Sequence, residues 1–150
     1  MLNIIMNNKL LQSILLVNIK NYKKISGKYK IGEKNGKGKE YLIESNKLIF
    51  EGEYLNGKRN GKGKEYNKYG KLEFEGEYLN GKRNGKGKEY KNDKLIFEGE
   101  YLNGETNGKV KEYYKNKIKF EGEYLNGKIN YGIRYNIFNN EKELEILKIK

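Results

Sequence analysis

The sequence has no cysteine, proline, tryptophan or histidine, and each absence closes a route to structure or chemistry. Without cysteine there is no disulfide framework and no thiolate metal site, which fits a reducing compartment and gives a cytoplasmic expectation. With histidine also missing, the usual general bases, nucleophiles and ligands reduce to one aspartate, Asp93, one threonine, Thr106, and the serines Ser13, Ser26 and Ser45. An enzyme would have to run on glutamates. Those recur with lysines opposite them, as surface pairs do, whereas a glycosidase-type carboxylate pair needs a concave site. The reading is a non-enzymatic chain with no cofactor and no bound metal.

Long apolar runs are scarce as well. In the apolar start of the chain, the longest clean run is Ile14 to Val17, far below the roughly 20 residues that span a bilayer. Asn7, Asn8, Lys9 and Gln12 break the pattern of a secretory signal. Leu2, Ile5, Met6, Leu10, Ile14 and Val17 recur at mostly three- and four-residue spacing, which predicts a short N-terminal amphipathic helix. Residues 1–24 are expected to cap the end or a face of the rest, with membrane-surface docking or the remnant of a larger domain as the alternatives.

Hydrophobic and charged residues each make up 35% of the chain, so local contacts are expected over a compact core. The 14 tyrosines and 5 phenylalanines argue for order despite 19 glycines. A net charge of +12 favours anionic partners. Nearly all of that charge is lysine, Arg59, Arg83 and Arg134 being the arginines, and this scarcity argues against nucleic acid.

Self-similarity dominates the remainder. FEGEYLNGKRNGKGKEY at Phe50 to Tyr66 recurs unchanged at Phe74 to Tyr90, then as FEGEYLNGETNGKVKEY from Phe97 and FEGEYLNGKIN from Phe120. A degenerate copy, ISGKYKIGEKNGKGKEY, starts at Ile25. Starts at 25, 50, 74, 97 and 120 define five units over residues 25–135. Within each unit Leu72, Phe74, Gly76 and Tyr78, and their copies, alternate with Glu73, Glu75 and Glu77, the period-2 signature of a strand.

The pairs Asn56-Gly57, Asn80-Gly81, Asn103-Gly104 and Asn126-Gly127 supply the positive φ that tight hairpin turns need. Gly61 to Tyr66 reads as the return strand. A second turn at Asn67 to Gly70, Asn92-Asp93 or Asn116-Lys117 leads onward, so the fold class is all-β: an elongated single-layer antiparallel meander of stacked hairpins. The alternating tail Glu143 to Ile149 predicts a capping strand within 136–150.

Whether the first turn is a two-residue or a six-residue loop, Glu51 and Glu53 share a face with Lys62 and Lys64, a solvated ladder of opposite charges. Gly52 and Gly63 fall on the aromatic face, where they leave room for the rings of Phe50 and Tyr54. Tyr66, Tyr90 and Tyr113 take the other parity unless a bulge intervenes. Gly57 to Gly63 superficially evokes a phosphate loop, but its spacing is one residue short and no Ser or Thr follows the lysine.

The pattern aromatic-x-Gly-x-aromatic-x-x-Gly-(x)3-Gly-x-Gly resembles the MORN family (membrane occupation and recognition nexus repeats), over roughly Ile25 to Tyr135. Its linkers are also similar to the bacterial variant in YwqK-type antitoxins. Phe and Tyr stand where the family usually has Tyr and Trp, Val110 replaces a motif glycine, and the fifth unit departs at Asn130 to Tyr135.

The resemblance implies a scaffold or binding module acting on protein partners or acidic phospholipids. The site expected for protein–protein interaction is an aromatic-glycine groove carrying Phe50, Tyr54, Phe74, Tyr78, Phe97, Tyr101, Phe120 and Tyr124. Binding to an anionic membrane surface is the alternative, and an antitoxin-like role in a toxin pair is the second. Open sheet edges would also permit self-association.

Overall fold

The computed structural model describes residues 27–32, 34–136 and, for the backbone, 145–148. The helix and cap expected over 1–24 lie outside the described residues. Among the described residues, eleven strands follow one another in a single sheet whose spatial order is the sequence order, and every neighbouring pair is antiparallel. They are β1 (Lys28–Gly32), β2 (Gly36–Leu42), β3 (Leu48–Leu55), β4 (Lys58–Tyr66), β5 (Leu72–Leu79) and β6 (Lys82–Lys91). Then come β7 (Lys94–Leu102), β8 (Glu105–Tyr114), β9 (Lys117–Leu125), β10 (Lys128–Arg134) and β11 (Glu145–Lys148). The expected all-β meander is the fold.

Both residues of each Asn-Gly turn have positive φ, for example Asn56 at 51° and Gly57 at 78°, as a two-residue hairpin turn with strand-matched twist requires. The turns also bind their neighbours. Gly81 N–H donates to the Arg59 carbonyl at 2.8 Å and Gly104 N–H to that of Arg83 at 2.9 Å, so each hairpin tip is tied to the preceding repeat. Between repeats, Asn92-Asp93 forms a second positive-φ turn, whereas the turn expected at Asn116-Lys117 sits one residue earlier, at Lys115-Asn116. Lys117 is already in β9, opposite Tyr114.

Two bulges recur where simple alternation gives no warning. Between β3 and β4 the register passes from Gly52 opposite Gly63 to Tyr54 opposite Arg59, so Asn60, Gly61 and Lys62 all oppose Glu53. Between β4 and β5 it passes from Glu65 opposite Phe74 to Tyr66 opposite Leu72, leaving Glu73 unpaired. An extra residue reverses parity beyond it. Leu48, Leu72, Leu95 and Ile118 therefore do not continue the aromatic column, as the alternation predicts; they pair with the tyrosines Tyr41, Tyr66, Tyr90 and Tyr113.

The core is a one-dimensional ladder of rings on one face of the sheet. Phe50 meets Tyr54 edge-on at 5.7 Å between centroids and Tyr78 of the next repeat at 5.2 Å. Phe74 repeats this with Tyr78 and Tyr101 at 5.7 and 5.4 Å. Each phenylalanine thus joins its own repeat to the next, the nearest-neighbour coupling expected of a repeat array. The Arg59 and Arg83 guanidiniums lie 3.9 Å over the Phe50 and Phe74 rings, closing off both. At the equivalent place over Phe97 stands the shorter Thr106, and Phe97 is 8% exposed against 0% for Phe50.

Candidate binding groove

The eight rings expected to line a groove are placed in this ladder instead. Phe50, Tyr54, Phe74, Tyr78, Phe97, Tyr101 and Phe120 are buried, and Tyr124 is half-buried against them. They do so because Gly63 lets the Phe50 ring lie flat on its backbone: a Cβ there would sit 2.5 Å from Phe50 Cζ. Ring contact fills the space that the glycines leave. Open concave surface lies instead on the opposite, charged face of the same strands.

There a groove of about 1040 Å³ crosses the sheet from Ile31 to Lys111, and none of the buried rings lines it. A smaller stretch of about 410 Å³ continues it from Lys109 to Tyr131 and Ile133. Its floor is the backbone of the glycine row, including Gly52, Gly63, Gly76 and Gly87. On the Glu51 side the wall alternates Glu51, Lys64, Glu75 and Lys88; on the Glu53 side it alternates Glu53, Lys62, Glu77 and Lys86.

The expected sharing of one face by Glu51, Glu53, Lys62 and Lys64 is what the register shows, but the two walls use their glutamates differently. Along the first wall Tyr66 Oη donates to Glu51 at 2.7 Å, Tyr90 to Glu75 at 2.5 Å and Tyr113 to Glu98 at 2.5 Å. The parity left open in the sequence is thereby resolved: these tyrosines stand on the charged face. Burial and then the Glu51 carboxylate push the Tyr66 hydroxyl up to about 12. Lys39 pairs with Glu51 at 3.3 Å and Lys64 with Glu75 at 3.9 Å.

Along the second wall the glutamates turn to the backbone. Gly61 has φ +87°, and the bulge it permits aims the Lys62 N–H at Glu53 Oε2, 3.3 Å away. Glu77 accepts from Lys86 N–H at 3.0 Å in the same way. With those carboxylates occupied, the side-chain amines of Lys37, Lys62, Lys86 and Lys109 have no carboxylate within ion-pair distance among the described residues, and all four residues are exposed. The sequence reading treated them as salt-paired. The signal that separates them was Gly61, since glycine inside a strand pattern marks a bulge.

On the ring face, a network of charges locks the ladder. Glu65 accepts from Tyr78 Oη at 2.8 Å, Arg59 at 3.0 Å and Arg83 at 2.6 Å, and Glu40 accepts from Tyr54 at 2.7 Å and Arg59 at 2.8 Å. Burial alone would raise the Glu65 carboxyl, but Arg83, then Tyr78 and Arg59, hold it below the usual carboxylate range. These arginines are therefore unavailable to a ligand in the groove. Among the described residues no cluster of acidic side chains could hold a metal ion, and no helix is long and apolar enough to cross a membrane.

Comparison with known families finds the MORN repeat at residues 26–42, 50–68, 74–95 and 97–117. These cover more than half of the chain, which belongs to the MORN repeat family. No curated protein matches it. A solved structure described as "Crystal Structure of TarM" aligns over 89% of this chain and 23% of its own, at 12% identity and a TM-score of 0.30. The chain thus spans under a quarter of that protein. Members of this family serve as binding and scaffold modules, the general role expected from the sequence.

Proposed function

We propose that the protein is a non-enzymatic binding module that holds a partner polypeptide lengthwise in the glycine-floored groove. The observation that carries this reading is the continuity of the groove, whose walls repeat the same glutamate and lysine positions through the second, third and fourth repeats. The eight rings act from behind: packed on the glycines, they fix strand spacing and so the spacing of the walls. Selection of random peptides on the immobilised protein tests it. Enriched peptides are expected to bind the full chain and to lose binding on Lys86→Glu. Failure to enrich any peptide, or equal binding by the variant, would remove the reading.

A second reading is docking on an anionic membrane surface. It is favoured by Leu55, Leu79, Leu102 and Leu125, each about half exposed, which stand beside Lys58, Lys82, Glu105 and Lys128 on the charged face. Basic residues near such a surface contribute about 1 kcal/mol each. Co-sedimentation with phosphatidylserine vesicles, compared for the full chain and a Leu79→Asp/Leu102→Asp variant, checks this; equal pelleting of both would discard it.

A further inference from the structure

We infer that the groove takes an extended polypeptide carrying an acidic side chain at every third residue. The inference rests on the groove reading above and specifies its partner. Its basis is the uneven accounting of charge along the second wall. Glu53 and Glu77 spend their carboxylates on the backbone N–H groups of Lys62 and Lys86. The amines of Lys37, Lys62, Lys86 and Lys109, one from each successive repeat, are left facing the groove with no carboxylate partner among the described residues.

Spacing then selects the ligand. Equivalent lysines lie two strands apart, which is about 9.6 Å for strands about 4.8 Å apart. A polyproline II chain has three residues per turn and rises about 3.1 Å per residue, so one face recurs about every 9.3 Å. Over the three intervals between Lys37 and Lys109 the mismatch grows to only about 1 Å. An α-helix repeats a face after seven residues, about 10.5 Å, and drifts by about 2.7 Å over the same length. A β-strand presents one face every 6.6 to 6.8 Å, roughly, and falls out of phase at once.

The rest of the groove suits such a rod. Glycine puts no side chain above the floor, so a slender chain reaches the sheet surface. In the fifth repeat Tyr131 occupies the place of the lysine, opposite Glu123, and its hydroxyl bonds that carboxylate. The lysine row therefore ends at Lys109, which sets the ligand at ten residues with acids at the first, fourth, seventh and tenth. A nucleic acid strand would want rings to stack on, yet the tyrosine hydroxyls on this face are held by Glu51, Glu75 and Glu98, and Arg59 and Arg83 are committed on the other face.

Fluorescence anisotropy with a labelled peptide, Glu-Pro-Pro-Glu-Pro-Pro-Glu-Pro-Pro-Glu, tests this against a peptide of the same composition whose four glutamates are adjacent. The triplet peptide is expected to bind at least tenfold tighter, and a Lys62→Gln/Lys86→Gln variant with an unchanged circular dichroism spectrum to lose at least tenfold. Equal binding of the two peptides, or no effect of the double variant, would overturn the proposal. So would inorganic polyphosphate or oligo-dT binding as tightly as the triplet peptide with the same lysine dependence. If random selection yields groove-dependent peptides without the acidic triplet, this inference falls while the groove reading stands; if it yields none, both fall.

Discussion

The phenolic oxygen of Tyr78 sits 2.8 Å from the carboxylate of Glu65, and through that contact the ring ladder and the ion-pair ladder become one structure. Tyr78 belongs to the third repeat and Glu65 to the second. The same carboxylate accepts from Arg59 and Arg83, which cover the phenylalanines of those repeats. Every hairpin junction in this stretch is thus fastened by apolar contact, hydrogen bond and ion pair at one place.

Glu65→Ala would leave the Tyr78 hydroxyl without its acceptor and take from Arg59 and Arg83 one of the two carboxylates each engages, Glu40 and Glu89 remaining. Removing one partner of a buried pair costs about 3 to 5 kcal/mol. Glu65 keeps some solvent contact, with its side chain 23% exposed, so a loss of about 2 kcal/mol in urea unfolding is expected. Glu112, bonded to Tyr124 and to Lys119 with Thr106 where the earlier repeats carry Arg59 and Arg83, gives the comparison: Glu112→Ala should cost about 1 kcal/mol. Equal losses would show that the arginine bridge contributes nothing.

Much of this fold was legible in the sequence because its repeat is exact enough to expose the Asn-Gly turns and the Phe-x-Gly-x-Tyr strand. Glu51 facing Lys64 followed from counting. The bulges did not follow from alternation, since a period of two carries no mark for an extra residue at Glu73 or at Asn60 to Lys62. The place of the open groove was missed for a different reason. Ring area and glycine gaps looked like a binding surface, when the gaps are filled by the rings themselves.

Stability should decline at both ends of the pH scale, for opposite reasons. Glu40 and Glu65 have carboxyls held below the unfolded value of 4.5. Their contribution is present above that pH and lost as it falls through the lower folded values. Tyr66, Tyr90 and Tyr113 are raised from 10.0 to about 12. Their contribution is complete below pH 10 and lost as pH climbs from 10.0 towards about 12. Thermal melts across this range, with tyrosinate absorbance on the alkaline side, are expected to show a plateau between the two declines. Ionisation of these tyrosines at pH 10 without loss of stability would contradict the Tyr–Glu geometry.

Gly63→Ala isolates the contact of ring on backbone. The added Cβ would meet Phe50 Cζ at 2.5 Å and Tyr78 Cε2 at 3.2 Å, so both rings must move. Overpacking of this kind costs about 1 to 3 kcal/mol. Val110, the natural exception, already shows the adjustment: Phe97 meets Tyr101 at 68° where the other repeats stand near 85°. Val110→Gly is expected to restore the steeper angle in a crystal structure of the variant.

Thr106→Arg tests whether the guanidinium lids can be extended. Thr106 faces Tyr101 as Arg59 faces Tyr54 and Arg83 faces Tyr78, and Phe97 beneath it is the most exposed of the buried rings. An arginine there would reach over Phe97 and find Glu89 and Glu112 in the positions that Glu40 and Glu65 hold for Arg59. Glu112 now pairs with Lys119 at 2.7 Å, and that lysine would be released to solvent. Stacking on a desolvated ring and a second carboxylate contact together should add about 1 kcal/mol in urea unfolding. The variant Thr106→Lys supplies the charge without the flat, forked lid, and should recover less than half of that gain. If lysine stabilises as well as arginine, the lids act through charge alone and the ring contact adds nothing.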